Sequence, residues 1–201
     1  MIISNGRHWE AILKKSGFTC HIKNGGSLRY TKLADSNQKK QFEAIPGREN
    51  HVLVLLSSSL GYSLDLLFYL IRYSLSEKTF LLRPHPDLPE KIIRKHIPSF
   101  PDHFSFNSEP FEEVMPRVAY CIHIGTTAAI ECMMVGIKVM KYLPERIDMD
   151  PLLGLDIDQE IISDGDSLVF GNKVSLNVPL NEGLIAEPVN EETWKNVVNR
   201  C

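Results

Sequence analysis

Ala119-Tyr120-Cys121-Ile122-His123-Ile124-Gly125-Thr126-Thr127-Ala128-Ala129-Ile130-Glu131 passes from an apolar strand, through one glycine, straight into a helix. The spacing predicts a strand over 119–124 and a helix over 126–135, with Gly136 at its C′ position. A turn of this kind ends a buried strand. In open α/β sheets ligands gather at the carboxyl ends of the strands, where a helix N-terminus offers unpaired N–H groups to a phosphate. Gly125 lets a ligand approach the backbone, and the Thr126 and Thr127 hydroxyls add donors. The plainer alternative is that a threonine merely caps the helix.

Glu131 lies one turn further in, set back from the phosphate position. A carboxylate that accepts two hydrogen bonds suits a ribose diol; the alternative is a surface glutamate favoured by the helix dipole. Its neighbours Ile130, Cys132 and Met133 are apolar, which argues against a wholly solvated side chain.

Upstream, Val52 to Ser57 reads as a strand covered on both faces, followed by a Ser-rich turn. Leu60, Leu64, Leu67, Phe68, Ile71 and Leu75 then recur at helical spacing, with Leu66, Tyr69, Leu70 and Tyr73 on the other side. A helix this apolar is expected to be covered twice, by the sheet and by a neighbouring domain or second subunit. Thr79 to Arg83 predicts the next strand, ended by Pro84 and Pro86. His85 is held between those prolines, where imidazole can donate to a phosphate oxygen. Arg83 adds a positive charge; an ordinary turn is the alternative. A helix opened by Pro89, a strand over 104–106, a helix over 111–115 and a strand over 137–142 complete the alternation. The whole implies βαβ units, a Rossmann-like parallel sheet with helices on both faces. His123, inside its strand, reads as a core histidine.

The flanks differ. Residues 2–17 look like a strand end and a helix carrying Trp9, Ile12 and Leu13, a β-α unit with no sheet of its own to join; residues 23–41 look like a linker. Residues 1–46 are therefore assigned to the end of a preceding domain plus linker, and 47–201 to the Rossmann-like domain. Beyond Pro144 the pattern is less regular and acidic until Asn190, which is expected to cap a helix with Trp194, Val197 and Val198 inward.

The chain has 201 residues, 43% of them hydrophobic, enough for one ordinary core. With 22 Lys and Arg against 25 Asp and Glu its formal charge is −3, which argues against nucleic acid as a partner. Cys20, Cys121, Cys132 and Cys201 form no CxxC pair, as expected of a reduced, cytoplasmic protein. The apolar stretch 52–71 is broken by Ser57, Ser58, Ser59, Gly61, Ser63 and Asp65, so no transmembrane segment is expected. Arg7, Glu10, Lys14 and Lys15 interrupt any signal-peptide core. G-x-G-x-x-G, G-x-x-x-x-G-K-[ST], G-x-S-x-G and H-E-x-x-H are all absent, which removes the main support for dehydrogenase, P-loop, serine hydrolase and zincin readings. The run Asp148, Asp150, Asp156 and Asp158 reads as solvated loop rather than a cation site. Neither metal nor cofactor is expected.

Taken in order, Gly25-Gly26-Ser27-Leu28-Arg29-Tyr30, Arg83-Pro84-His85-Pro86 and Gly125 to Glu131 resemble the interdomain linker, the basic-x-His-Pro loop and the Ser/Thr-rich turn with downstream Glu of GT-B glycosyltransferases that build bacterial surface polysaccharide. The resemblance covers residues 1–142 and the C-terminal, donor-binding half of that fold. It implies a nucleotide-sugar donor, with His85, Thr126 and Thr127 on its phosphates and Glu131 on its ribose; Arg83 and Gly125 join the candidate substrate-binding set from the reading of the residues themselves. It also implies that acceptor site and catalytic base belong to an N-terminal Rossmann-like half, or a second subunit, so that this chain alone binds nucleotide without transferring sugar. The catalytic residues stay unassigned. Two other readings remain open: part of a sugar-nucleotide epimerase, and a non-catalytic nucleotide-binding module.

Overall fold

A computed structural model describes residues 2–4, 6–27, 46–144, 160–170, 189 and 191–198. The acidic run at 148–158, Asn190 and most of the linker lie outside the described residues, as do the side chains of Val197 and Val198. Contacts divide the chain into two units, residues 39–176 and residues 1–38 with 177–201.

Among the described residues of the first unit, six strands form one parallel sheet: β3 (His51–Leu55), β4 (Thr79–Arg83), β5 (Phe104–Phe106), β6 (Tyr120–His123), β7 (Lys138–Leu143) and β8 (Glu160–Ser163). Their order is β5-β4-β3-β6-β7-β8. Helices numbered in chain order connect them: α2 (Leu60–Tyr73), α3 (Glu90–Ile93), α4 (Phe111–Val114) and α5 (Ala128–Met134).

Both faces of the sheet are covered, which is why its strands read as apolar runs rather than alternating ones. On one face Val52, Val54, Phe80, Leu82, Ile122, Met140 and Tyr142 pack with Leu66, Leu67, Tyr69 and Leu70 of α2 and Ile93 of α3. The Tyr69 and Tyr142 rings meet at 5.1 Å. The opposite face carries Cys121, His123, Val139 and Lys141, since side chains alternate along each strand. There Cys132 of α5 hydrogen-bonds Cys121. Burial pushes the Cys132 thiol well up, and that bond adds to the shift. The α/β expectation of a parallel sheet with helices on both faces is thus what the chain forms.

The remaining unit holds β1 (Ile2–Ser4), α1 (Arg7–Lys15), β2 (Ile22–Asn24) and α6 (Glu191–Val198). β1 pairs with β2 in parallel, Ile2 opposite Ile22 and Ser4 opposite Asn24. This corrects the expectation that the first β-α unit has no sheet to join. Ile22-Lys23-Asn24 has a single apolar residue and therefore gives no period-2 signal. Trp194 of α6 donates its indole N–H to the Gly25 carbonyl at 2.9 Å. A Cβ at Gly25 would lie 2.3 Å from Ile3 Cγ2 and 3.2 Å from that indole nitrogen, so only glycine fits between them.

Candidate functional site

The strand order runs outward in one direction from β3 through β4 to β5 and in the other from β6 through β7 to β8. Between β3 and β6 the chain therefore reverses its winding, and the connections leaving their carboxyl ends diverge to opposite faces. A crevice opens at such a reversal in doubly wound sheets. The residues that follow these two strands are Ser57-Ser58-Ser59 and Gly125-Thr126-Thr127.

The serine turn is built by its own hydroxyls. Ser57 Oγ accepts the Ser59 N–H at 3.1 Å, and Ser63 Oγ donates to the Ser57 carbonyl at 3.0 Å from within α2. Ser58 is exposed and Ser59, at the N-cap of the 14-residue α2, makes no side-chain cap bond. On the other strand Gly125 has φ 63°, a left-handed conformation that any residue with a Cβ would resist. Thr126 Oγ1 accepts the Ala128 N–H at a long 3.4 Å. Thr127 occupies the N-cap position of α5 yet makes no side-chain cap bond, and it is exposed. Capping thus occupies one of the two hydroxyls, weakly, and not the other.

Register places Arg83, Leu55, His123 and Lys141 in one row across the sheet at this same end. Arg83 is half-buried: its Nη1 donates to the Glu109 carbonyl at 2.6 Å and its guanidinium lies 5.1 Å from the Phe111 ring centre. Its charge thus also ties down the chain after β5, a role that the sequence did not suggest. His85 is half-buried on the loop after β4. Its Nδ1 lies 3.2 Å from the Asp87 N–H and 3.5 Å from the Asp87 carboxylate. A backbone N–H can only donate, so we assign Nδ1 as the acceptor and the proton to Nε2, which leaves Nε2–H as a donor. Glu131 is buried on α5, with 8% of its surface exposed.

Sequence reasoning passed over three residues at this end. Ser58 and Ser59 were read as turn only, although a Ser-rich turn before a long helix was signal enough. Lys141, 4% exposed in β7, was hidden inside an expected strand, and a single lysine among apolar residues carries no mark of being buried. A separate cavity of about 270 Å³ lies at the opposite, amino end of β3 and β4, lined by Gly47, Arg48, His51, Thr79 and Arg117 among others. There Arg48 donates from Nε and Nη2 to the Val118 carbonyl at 3.1 and 2.6 Å, and Arg117 pairs with Glu109. Both guanidinium groups serve the fold, and no predicted site residue reaches this cavity.

No protein-family model matches the chain, and no curated protein sequence matches it. Among solved structures it is similar to wall teichoic acid polymerase TagF in a CDPG-soaked variant, at 14% identity and TM-score 0.41, over 70% of this chain and 36% of that one. A second TagF variant structure gives 15% and 0.38, over 70% and 38%. Thermosulfurimonas dismutans KpsC, a beta Kdo 2,7 transferase, gives 16% and 0.35, over 66% and 44%. The chain spans under half the length of each of these proteins.

Proposed function

We propose that residues 39–176 bind the nucleotide part of a nucleotide sugar and form the donor-binding part of a glycosyltransferase of surface-polysaccharide synthesis. The observation that carries this reading is the winding reversal between β3 and β6, which brings a serine turn and a Gly-Thr-Thr turn to adjacent strands at one end of the sheet. Two hydroxyl-rich turns opening two helices offer an anion backbone N–H groups from both sides. In this reading the phosphates lie against Gly125, Thr126 and Thr127, His85 donates from Nε2, and Glu131 accepts the ribose hydroxyls. Arg83, held against Phe111, supplies positive field rather than a moving contact. Catalysis by such a part consists of positioning the donor and stabilising the charge of its departing phosphate.

The test is calorimetric titration of the chain with ADP, GDP, CDP and UDP, with inorganic diphosphate as control. At least one nucleotide is expected to bind. Glu131→Gln is expected to weaken it by about ten- to a hundredfold, the value of about 1.5–3 kcal/mol for a hydrogen bond to a charged acceptor, while inorganic diphosphate binds parent and variant alike. Failure of all four nucleotides to bind would remove the reading. Equal nucleotide affinity in both proteins would remove Glu131 from it.

A further inference from the structure

We infer that the outward face of α2 is the contact surface of a symmetric dimer, in which α2 of a second copy of this chain lies antiparallel against it. The inference does not depend on the nucleotide reading above. A surface helix packed on a sheet ordinarily turns an apolar side to the core and a polar side to water. The 14-residue α2 departs from this. Leu66, Leu67, Tyr69 and Leu70 are buried against the sheet, yet Leu60, Leu64, Phe68 and Ile71 follow one another along the outer side at spacings of four, four and three residues. Leu60, Leu64 and Ile71 are half-buried, and Phe68 is 53% exposed. Alternating threes and fours are the spacing at which a second helix seats its own side chains in the gaps. An exposed apolar stripe with charge along its rim marks an interaction surface.

The rim charges identify the occupant. Asp65 and Arg72 are seven residues apart, nearly two full turns, and so lie on the same flank of the stripe. They are also equally distant from the point between Phe68 and Tyr69. A two-fold axis through that point and across the helix reverses height and keeps the flank. It therefore sets Asp65 of each copy against Arg72 of the other, twice in one interface, as an isologous contact requires. The same rotation brings the two Phe68 rings together near the axis and places Leu64 of one copy beside Ile71 of the other. A parallel pair would instead turn the charged flank onto the Leu60 and Ile71 flank. Among the described residues Asp65 makes no ion pair, and the Arg72 guanidinium lies 5.5 Å from the Tyr73 ring centre, a contact that leaves its N–H groups able to donate. At about 1.5 Å per residue the helix is only about 21 Å long, so the interface is small and belongs to the weak, concentration-dependent class.

Sedimentation velocity of the chain from about 1 to about 500 μM tests the dimer. The chain is expected to be monomeric at the low end, as it is at the dilution of an unfolding titration, and dimeric at the high end. Phe68→Glu is expected to keep the far-ultraviolet circular dichroism of the parent and to lose the dimer. Asp65→Arg and Arg72→Asp are each expected to weaken association by about tenfold or more, because each turns two attractions into two repulsions. Mixed in equal amounts, those two variants are expected to pair with each other at least as tightly as the parent pairs with itself, since both contacts of the mixed dimer then join opposite charges. A parent that stays monomeric throughout would overturn the second copy as occupant and leave the stripe to another domain or protein. A dimer indifferent to Phe68→Glu would lie on a different surface and overturn the inference. Loss of the dimer in Phe68→Glu without recovery on mixing the charge variants would overturn the antiparallel register.

Discussion

A buried tyrosine gives the protein a defined alkaline limit. Tyr69 donates its hydroxyl to the Asp166 carbonyl at 3.1 Å, and burial first, then the Asp166 charge, pushes its pKa from 10.0 up to about 12. The folded state therefore keeps this proton where the unfolded chain gives it up. The resulting stability is fully present below pH 10 and is lost as the pH rises through about 12. Tyr69→Phe is expected to flatten that part of the stability-against-pH curve measured in urea, and to cost about 0.5–1.5 kcal/mol at neutral pH for the lost hydrogen bond. An unaltered alkaline limb would show that Tyr69 does not set it. At this scale the candidate site was legible in part. The glycine and two threonines of 125–127 announced a turn at a strand end, which is where they lie. What the sequence could not disclose is how each side chain is spent, as with the Arg83 guanidinium tied to Glu109, because hydrogen-bond partners distant along the chain leave no periodic trace.

Helix α2 shows how one element divides its apolar residues. Leu67 is wholly buried against the sheet, whereas its neighbour Phe68 is 53% exposed. Leu67→Ala is expected to cost about 2–5 kcal/mol in chemical denaturation, and Phe68→Ala to remain within about 0.5 kcal/mol. Similar costs at the two positions would mean that Phe68 has a cover of its own, the double covering that the helix's composition suggests. Elements were legible where physical signals were strong. The strands 79–83 and 104–106 lie where the sequence puts them, since Pro84 and Pro86 mark one limit and paired phenylalanines the other. The helix expected over 126–135 is shorter, Ala128–Met134, because Gly125 and the two threonines are used by the turn. β8 was missed altogether: Glu160-Ile161-Ile162-Ser163 lies at the sheet edge inside an acidic stretch, and one buried side chain, Ile162, suffices to dock it.

On the scale of the whole molecule, the two contact-defined units can be followed separately by spectroscopy. Both tryptophans, Trp9 and Trp194, belong to residues 1–38 with 177–201, while five of the six tyrosines belong to residues 39–176. Gly25→Ala forces a methyl group into the space held by Ile3 and Trp194, an overpacking expected to cost about 1–3 kcal/mol. The tryptophan-fluorescence transition should then move to lower denaturant while the tyrosine-absorbance transition stays in place. Equal shifts in both signals would show that the units unfold as one. The winding reversal also bears on biosynthesis. β3 is completed early, yet its β6 neighbour is made much later; the nearby bond from Arg48 to Val118 spans 70 residues. At about 5–20 residues per second, one edge of the apolar strand Val52-Leu53-Val54-Leu55 stays open for about 3–14 s on every ribosome. The strand at the centre of the finished sheet thus spends translation with one apolar edge unpaired, the kind of surface that a chaperone shields.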